Sequence, residues 1–512
     1  MSGTETAVPW LSILAALPLV GAFALMLLPR GAGVTKLVAL GTSLLALLLS
    51  IAMALQFDVG ESRFQFVENY AWIPAFGARY AVGLDGLGLA LVLLTTILTP
   101  VVILASWHDA DTGRWSTNSF FAWILALEGL AVGVFAATDV FLFYVLFEAT
   151  LFPIYFLIGG FGGARRSQAA VKFLLFSLFG GLLMLASVVG LYVVTADSSS
   201  GPSYLLEDLI NASMSQSTGR WLFLGFFIAF AVKAPMWPVH TWLPDAASEG
   251  TPGTSVLLVS VLDKIGTFGM MRFCLAIFPE ASQWAAPVVI ALAVFSVLYG
   301  ALLAIGQNDI RRLIAYTSIS HFGFIVLGIF AFTSQSQTGA ALYMFNHGLS
   351  TAALFLVTGF LISRRGSKMI SDYGGVEKVA PVLAGVFLLA GLSSLSLPGL
   401  SPFVSEFLVL AGTFTTSVTA AVLATLGIVL AALYILLMYQ RTMTGPLRES
   451  TKNLVDLRPR EILALAPLVA LIVVLGFYPK PALDVLQPTV DSLMQVVGVE
   501  DPEPTVAVGP EE

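Results

Sequence analysis

The sequence predicts an all-α, polytopic membrane fold of about fourteen transmembrane helices, and three observations predict it. Hydrophobic residues make up 57% of the 512 and charged residues only 11%, with a mean hydropathy of +0.90. A soluble protein carries about 25% charged and 45–50% apolar residues. The apolar residues also gather into continuous runs, without the alternation of a transmembrane strand, which is about 10 residues long. Finally, the basic residues sort between alternate loops. The net charge of −7 argues against nucleic acid as a partner, because phosphate binding needs clustered Lys and Arg. The lone Cys274 excludes an internal disulfide, a cysteine zinc site and an iron–sulfur cluster.

Residues 1–9 contain Glu5 but no Lys or Arg, so they lack the positive region of a cleaved signal, and the first apolar run is retained as a helix. Windows of about 20 residues place spans at 10–28, 34–56, 84–106, 119–137, 140–160, 170–194, 221–243, 254–278, 285–305, 313–332, 339–362, 380–411, 418–440 and 462–479. The chain then divides into N-terminal helices 1–3 (1–118), a first unit (119–278), a second unit (285–442), C-terminal helix 14 (443–499) and an acidic tail (500–512). The tail's composition reads as disordered.

The loops after spans 1, 3, 5, 9, 11 and 13 hold Arg30, Lys36, Arg114, Arg165, Arg166, Arg311, Arg312, Arg364, Arg365, Lys368, Lys378, Arg441, Arg448, Lys452, Arg458 and Arg460. The opposite side has only Arg63, Arg79, Arg220, Arg272 and Lys480. The positive-inside rule puts the first set in the cytoplasm and both termini outside. The longest extramembrane segments, 57–83, 195–220 and 441–461, are too short for a domain with its own core, so function is expected within the membrane.

An ionisable side chain at the bilayer centre costs about 2.5–3.5 kcal/mol on the insertion scale, and such residues mark ion pathways. A residue 8–12 positions from a helix end lies near the midplane. Glu128, Glu148, Lys233, Lys264, His321, His347 and Glu406 all fall near that depth, on seven different spans. One such residue alone, His347 or Glu128, is as readily a helix-packing feature. Together they predict a polar row parallel to the membrane plane. Lys172 lies close to Arg165 and Arg166 and reads as a snorkelling anchor. Asp263, adjacent to Lys264, points to a different helix face and carries no pairing expectation.

Two spans are interrupted by proline. Span 7 reads Lys233-Ala-Pro235-Met-Trp-Pro238-Val-His240, and span 12 reads Pro398-Gly-Leu-Ser-Pro402-Phe-Val-Ser-Glu406. Interrupted helices at membrane depth line cavities, and at corresponding places in two halves they point to an inverted-repeat transporter. The two spans are five apart, an odd offset inverts the second unit, and spans 4–8 and 9–13 therefore read as two inverted five-helix repeats. Other chemistry is missing from the sequence. No lysine follows a glycine as in a P-loop, the run Gly159–Gly163 lacks GxGxxG spacing, and no HExxH pair offers a metal site.

The segments 134–153 (with Asp139 and Glu148) and 233–245, together with Lys264 and the Pro398…Glu406 break, resemble the antiporter-like membrane subunits of respiratory complex I. The resemblance covers essentially the whole chain. Glu406 places it with the subunit M branch, because the L and N branches and Mrp-type antiporters usually have lysine there. One departure is Ala247, which stands where the family commonly has histidine.

The resemblance implies a proton-translocating subunit of a bacterial inner-membrane NADH-quinone oxidoreductase. Its neighbours would include the L and N subunits, and NADH, FMN, the iron–sulfur clusters and quinone would all be held by partner subunits. A carboxylate within about 4–6 Å holds the proton on a buried lysine, so Glu148 is expected to pair with Lys233 and, on withdrawing, to send its proton along the row. Lys264 is the next stop, His321 and His347 bridge to Glu406 as exit, and Glu128 and His240 are auxiliary. Pro235, Pro238, Pro398 and Pro402 supply the hinges. A multisubunit cation/proton antiporter, a membrane-bound hydrogenase subunit and a passive scaffold are the alternatives.

Overall fold

The computed structural model describes residues 8–29, 33–111, 115–196 and 201–502; Arg30, Arg114, the stretch 1–7 and the acidic tail from 503 lie outside the described residues. The chain is helical almost throughout: α1 (Trp10–Leu27), α2 (Thr35–Gln56), α3 (Gly86–Ala105), α4 (Thr117–Ala136), α5 (Val140–Ala149), α6 (Leu151–Phe161), α7 (Arg166–Thr195), α8 (Leu206–Ile210), α9 (Gln216–Lys233) and α10 (Leu243–Glu249). Then follow α11 (Pro252–Val256), α12 (Lys264–Gly269), α13 (Pro279–Ile305), α14 (Ile310–Phe330), α15 (Ser334–Arg365), α16 (Pro381–Ser394), α17 (Ser401–Thr416), α18 (Val418–Met443), α19 (Pro459–Phe477) and α20 (Lys480–Val497).

Among the described residues, 12 helices are long and apolar enough to cross a membrane, with α5–α6 acting as one span (Val140–Phe161) and Pro252–Leu275 as another. The two remaining expected spans are the ones that proline interrupts. Span 7 divides into α9, an unwound stretch and α10, and span 12 into α16, an unwound stretch and α17. The helix starts follow local chemistry. Asp85, Ser116, Asp139, Ser215 and Ser417 each accept a backbone N–H in the first turn that follows, at α3, α4, α5, α9 and α18. Gly366, with φ +74, ends α15 in the left-handed conformation that glycine adopts without strain.

The span Pro252–Leu275 is wholly buried, and α14 and α15 nearly so, whereas α1, α2 and α19 keep most of their surface outside. The centre of the bundle is therefore α12, α14 and α15. Two features were not anticipated. The segment 57–83 contains an antiparallel hairpin, β1 (Gln65–Ile73) and β2 (Ala78–Leu84). Its Glu68 accepts the Leu11 N–H at 2.7 Å and so caps α1. The stretch 443–499 carries two helices rather than one. α20 lays Leu486, Val490, Met494 and Val497, at helical spacing, against the bundle. It staples the first residues of α3 and α15 through Gly86 N to Thr489 Oγ1 (3.0 Å) and Thr338 Oγ1 to Gln487 Oε1 (3.1 Å).

Basic residues gather at the other ends of these helices. Lys368 bridges Glu249 (3.1 Å) and Asp309 (3.2 Å), and Arg364 binds Glu461 at 2.5 Å. Lys172 does not snorkel free: it pairs with Asp245 at 2.7 Å, and Arg312 takes the other oxygen at 2.5 Å.

Candidate proton pathway

Lys233 is the last residue of α9, and the break beyond it follows from Pro235. Proline has no N–H to give the carbonyl four residues back, and Met236 N bonds Ala231 O at 3.0 Å in its place. The Val232 carbonyl left over accepts the Trp242 indole N–H at 3.0 Å, so the unwound turn is satisfied inside the protein. Lys233 is buried, and among the described residues its Nζ makes no hydrogen bond; Nζ lies 4.9 Å from the Phe147 ring centroid and 5.7 Å from that of Phe173. The rings and the negative end of α9 favour the cation.

Glu148, half-buried on α5, reaches over Gly181 of α7, where a Cβ would lie 1.8 Å from its Oε1. Its Oε1 has no hydrogen-bond partner, and no ion pair joins it to Lys233 among the described residues, so the expected direct pairing is not formed. The two interact electrostatically across a gap.

Lys264 stands where a π-helical turn, Leu257–Leu262, gives way to α12. Such turns recur at functional sites. Its Nζ donates to Val259 O at 3.0 Å, lies 2.6 Å from His347 Nδ1, and sits 4.5 Å from the Phe322 ring centroid. His347 Nε2 is 3.1 Å from Thr351 Oγ1. The His321 ring meets His347 edge-on at 5.2 Å and its Nδ1 is unpartnered. Tyr343, one helical turn before His347 on α15, has its ring 6.0 Å from His321 and 6.2 Å from His347. Its hydroxyl, beside Ser396, lies within electrostatic reach of Glu406, as does Tyr434 on α18. Lys264, His347, His321, Tyr343 and Glu406 thus form one buried file from α12 through α15 and α14 to α17.

Two residues of the expected set stand apart. Glu128 is buried on α4 beside Thr99, and among the described residues no charged group acts on it. His240 lies in the unwound stretch after Lys233, its ring edge-on to Tyr299 at 5.1 Å, with Lys172 as its charged neighbour. Pro235 and Pro238 lie in the first unwound stretch and Pro398 in the second, whereas Pro402 sits in the first turn of α17 and starts that helix. The breaks are not placed alike: Lys233 closes the half-helix before its break, and Glu406 lies within the half-helix after its own.

Sequence reasoning missed Tyr343 and gave Asp263 no partner. The Tyr343, His347, Thr351 stripe at four-residue spacing was the available signal for the first. Asp263 is fully buried, with both oxygens unpartnered among the described residues.

At the basic ends, burial raises the Asp245 carboxyl, but hydrogen bonds from Lys172 and Arg312 and their charges outweigh it and hold the group below the usual carboxylate range. Glu249 is likewise pushed up by burial and then held low by the Arg165 N–H and by Lys368.

A many-span helical bundle with interrupted helices and a buried file of lysine, histidine and glutamate has the build of an antiporter-like membrane subunit. Residues 137–432 match the family described as NADH:quinone oxidoreductase/Mrp antiporter, TM. NADH-quinone oxidoreductase subunit M of Mycobacterium tuberculosis (strain CDC 1551 / Oshkosh) is 51% identical over 98% of this chain and 96% of its own. That of Rhodobacter capsulatus is 39% identical over 95% and 96%. Among solved structures, a chain of respiratory complex I from Thermus thermophilus with bound NADH is 32% identical, with a TM-score of 0.87 over 96% of this chain and 100% of that one. A chain of the Mrp complex from Dietzia sp. DQ12-45-1b shares the fold, with a TM-score of 0.83 at 21% identity over 96% and 100%. The chain belongs to the NADH:quinone oxidoreductase/Mrp antiporter family, in its NADH-quinone oxidoreductase subunit M branch.

Proposed function

We propose that this chain translocates protons in the membrane arm of an NADH-quinone oxidoreductase, driven by redox chemistry in partner subunits that hold NADH, FMN, the iron–sulfur clusters and quinone. The L and N antiporter-like subunits are its neighbours. The complex sits in a bacterial inner membrane, and both termini of this chain face the outer side. The chain crosses fourteen times when each interrupted helix counts as one crossing, and spans 4–8 and 9–13 form two inverted repeats. One observation carries the reading: Lys264 contacts His347, which meets His321, which leads through Tyr343 to Glu406, all buried. Buried ionisable groups in such a file are costly unless they carry ions or protons.

Glu148 and Lys233 form the entry half. Movement of Glu148 relative to Lys233 changes how firmly the lysine holds its proton, and the unwound stretches beyond α9 and α16 allow that adjustment without disturbing a continuous helix. Glu128 and His240 stand at the edge of the path.

The test is proton pumping by the assembled complex in membrane vesicles with Lys233→Ala or Glu148→Gln. The reading expects pumping per NADH oxidised to fall at least about tenfold; near-normal pumping with intact assembly sinks it.

A further inference from the structure

Asp263 has no part in the path described so far, yet it is a buried charged group. It is fully buried, and among the described residues neither carboxylate oxygen has a hydrogen-bond partner. A buried carboxylate left without partners is strongly destabilising, so a function is needed to account for it.

Its position supplies one. Successive residues on a helix point about 100° apart, so Asp263 and Lys264 serve different faces. Lys264 faces α15, where its Nζ meets His347 at 2.6 Å. The other face is marked by Gly266, three residues after Asp263 and therefore on its side of the helix. A Cβ on Gly266 would lie 2.5 Å from Phe230 O and 2.6 Å from Ala234 N, so α12 is pressed there against the end of α9 that carries Lys233. The charged groups acting on Asp263 are Lys264 and Lys233. Asp263 thus looks back to Lys233 while Lys264 looks forward to His347, and the two adjacent residues form the crossing between the halves of the row.

We infer that Asp263 is a proton relay between Lys233 and Lys264, an inference that rests on the proton-translocating reading above. The Lys233 ammonium gives up a proton as its N–H bond breaks, and an O–H bond forms on the Asp263 carboxylate, directly or across a bridging water. The carboxyl then passes that proton to the neutral Lys264 amine, restoring the carboxylate and forming an ammonium. No proton is gained or lost over the two steps.

The experiment compares Asp263→Asn and Asp263→Glu with Lys233→Ala in the assembled complex, following NADH oxidation and vesicle acidification together. The relay expects Asp263→Asn to lower pumping per NADH about tenfold and Asp263→Glu to retain most of it. Redox-induced infrared difference spectra of the parent complex should also show a carboxyl band that shifts in Asp263→Glu, a readout that a purely structural charge would not produce. That band keeps the test decisive even where Asp263→Asn fails to assemble. Normal pumping in Asp263→Asn with loss in Lys233→Ala overturns the relay and leaves the pathway standing. Absence of any band that responds to Asp263→Glu overturns the relay too. Normal pumping in all three variants overturns the pathway and the relay together.

Discussion

Gly181→Ala separates the position of Glu148 from its chemistry. The added Cβ would lie 1.8 Å from Glu148 Oε1, 2.6 Å from Cδ and 3.0 Å from Oε2. To regain ordinary contact the carboxylate must withdraw by roughly 1.5 Å. The obstruction is the end of a flexible side chain, so the protein yields cheaply: an off-rotamer Glu costs about 0.5–1.5 kcal/mol. Replacing a mid-helix glycine with alanine returns about 0.5–1 kcal/mol. The variant should therefore assemble and melt within about 1 kcal/mol of the parent. Function should respond far more, because a misplacement of about 1 Å in a reacting group can cost on the order of 100-fold. The assay is acidification of inverted vesicles per NADH oxidised, expected to fall tenfold or more. Gly180→Ala is the control: there a Cβ would lie 3.1 Å from Ala229 Cα and 3.5 Å from Val232, so α9 backbone must shift and assembly, not specifically pumping, should suffer. An assembled Gly181→Ala complex that pumps within about twofold of the parent would refute the placement of Glu148 in the path.

Other expectations follow from the same geometry. Tyr343→Phe removes the hydroxyl between the histidines and Glu406 without changing the ring packing, and should slow pumping severalfold at unchanged thermal stability; equal rates would take Tyr343 out of the file. Asp245→Asn breaks the Lys172 and Arg312 pairs, both partly exposed, and should cost about 1 kcal/mol by thermal unfolding. Because the folded carboxyl is held below its ordinary value, that stabilisation is complete above about pH 4 and is lost as pH falls through the folded value; the difference between parent and variant should therefore shrink in acid and not in base. Arg272→Met strands Asp85, its buried partner at 2.5 Å, and should destabilise by about 3–5 kcal/mol. Asp85 also caps α3, so Arg272→Met with Asp85→Asn should recover only part of the loss, as measured by yield of assembled complex.

The sequence made most of the architecture legible because lipid leaves few choices: long apolar runs must be helices, and prolines must interrupt them. Every ionisable residue picked out from depth alone is buried or half-buried in the bundle, and Lys264, His321, His347 and Glu406 fall into one file. What depth could not give was azimuth. In an amphipathic helix the apolar stripe sets the phase, but a run that is hydrophobic all round carries none, so Glu128 read like Glu148 although only Glu148 faces a lysine. The hairpin at β1 and β2 and the helix α20 were missed for a related reason. Both lie where the chain leaves the apolar runs, and their order comes from contacts such as Glu68 on α1 and Thr489 on Gly86, which link residues far apart in sequence.

The same loss of phase accounts for Asp263. Neighbouring residues on a regular helix point apart, which is a sound reason to deny a pair between Asp263 and Lys264 and no reason to deny either a partner elsewhere. The span that carries them is not regular: π-helical turns precede and follow α12, and each extra residue in a turn rotates what comes after it. The ionisable groups of the row recur where helical regularity fails, with Lys233 at the close of α9, Lys264 at a π-to-α junction and Glu406 beyond the second break. A regular helix turns its polar groups inward on itself and offers the bundle only side chains. An interrupted one also offers carbonyls and N–H groups, such as Val259 O to Lys264 and Val232 O to Trp242. Of these, Val259 O receives the Lys264 ammonium at depth without an ion pair among the described residues, whereas Val232 O closes the unwound turn on a neutral indole.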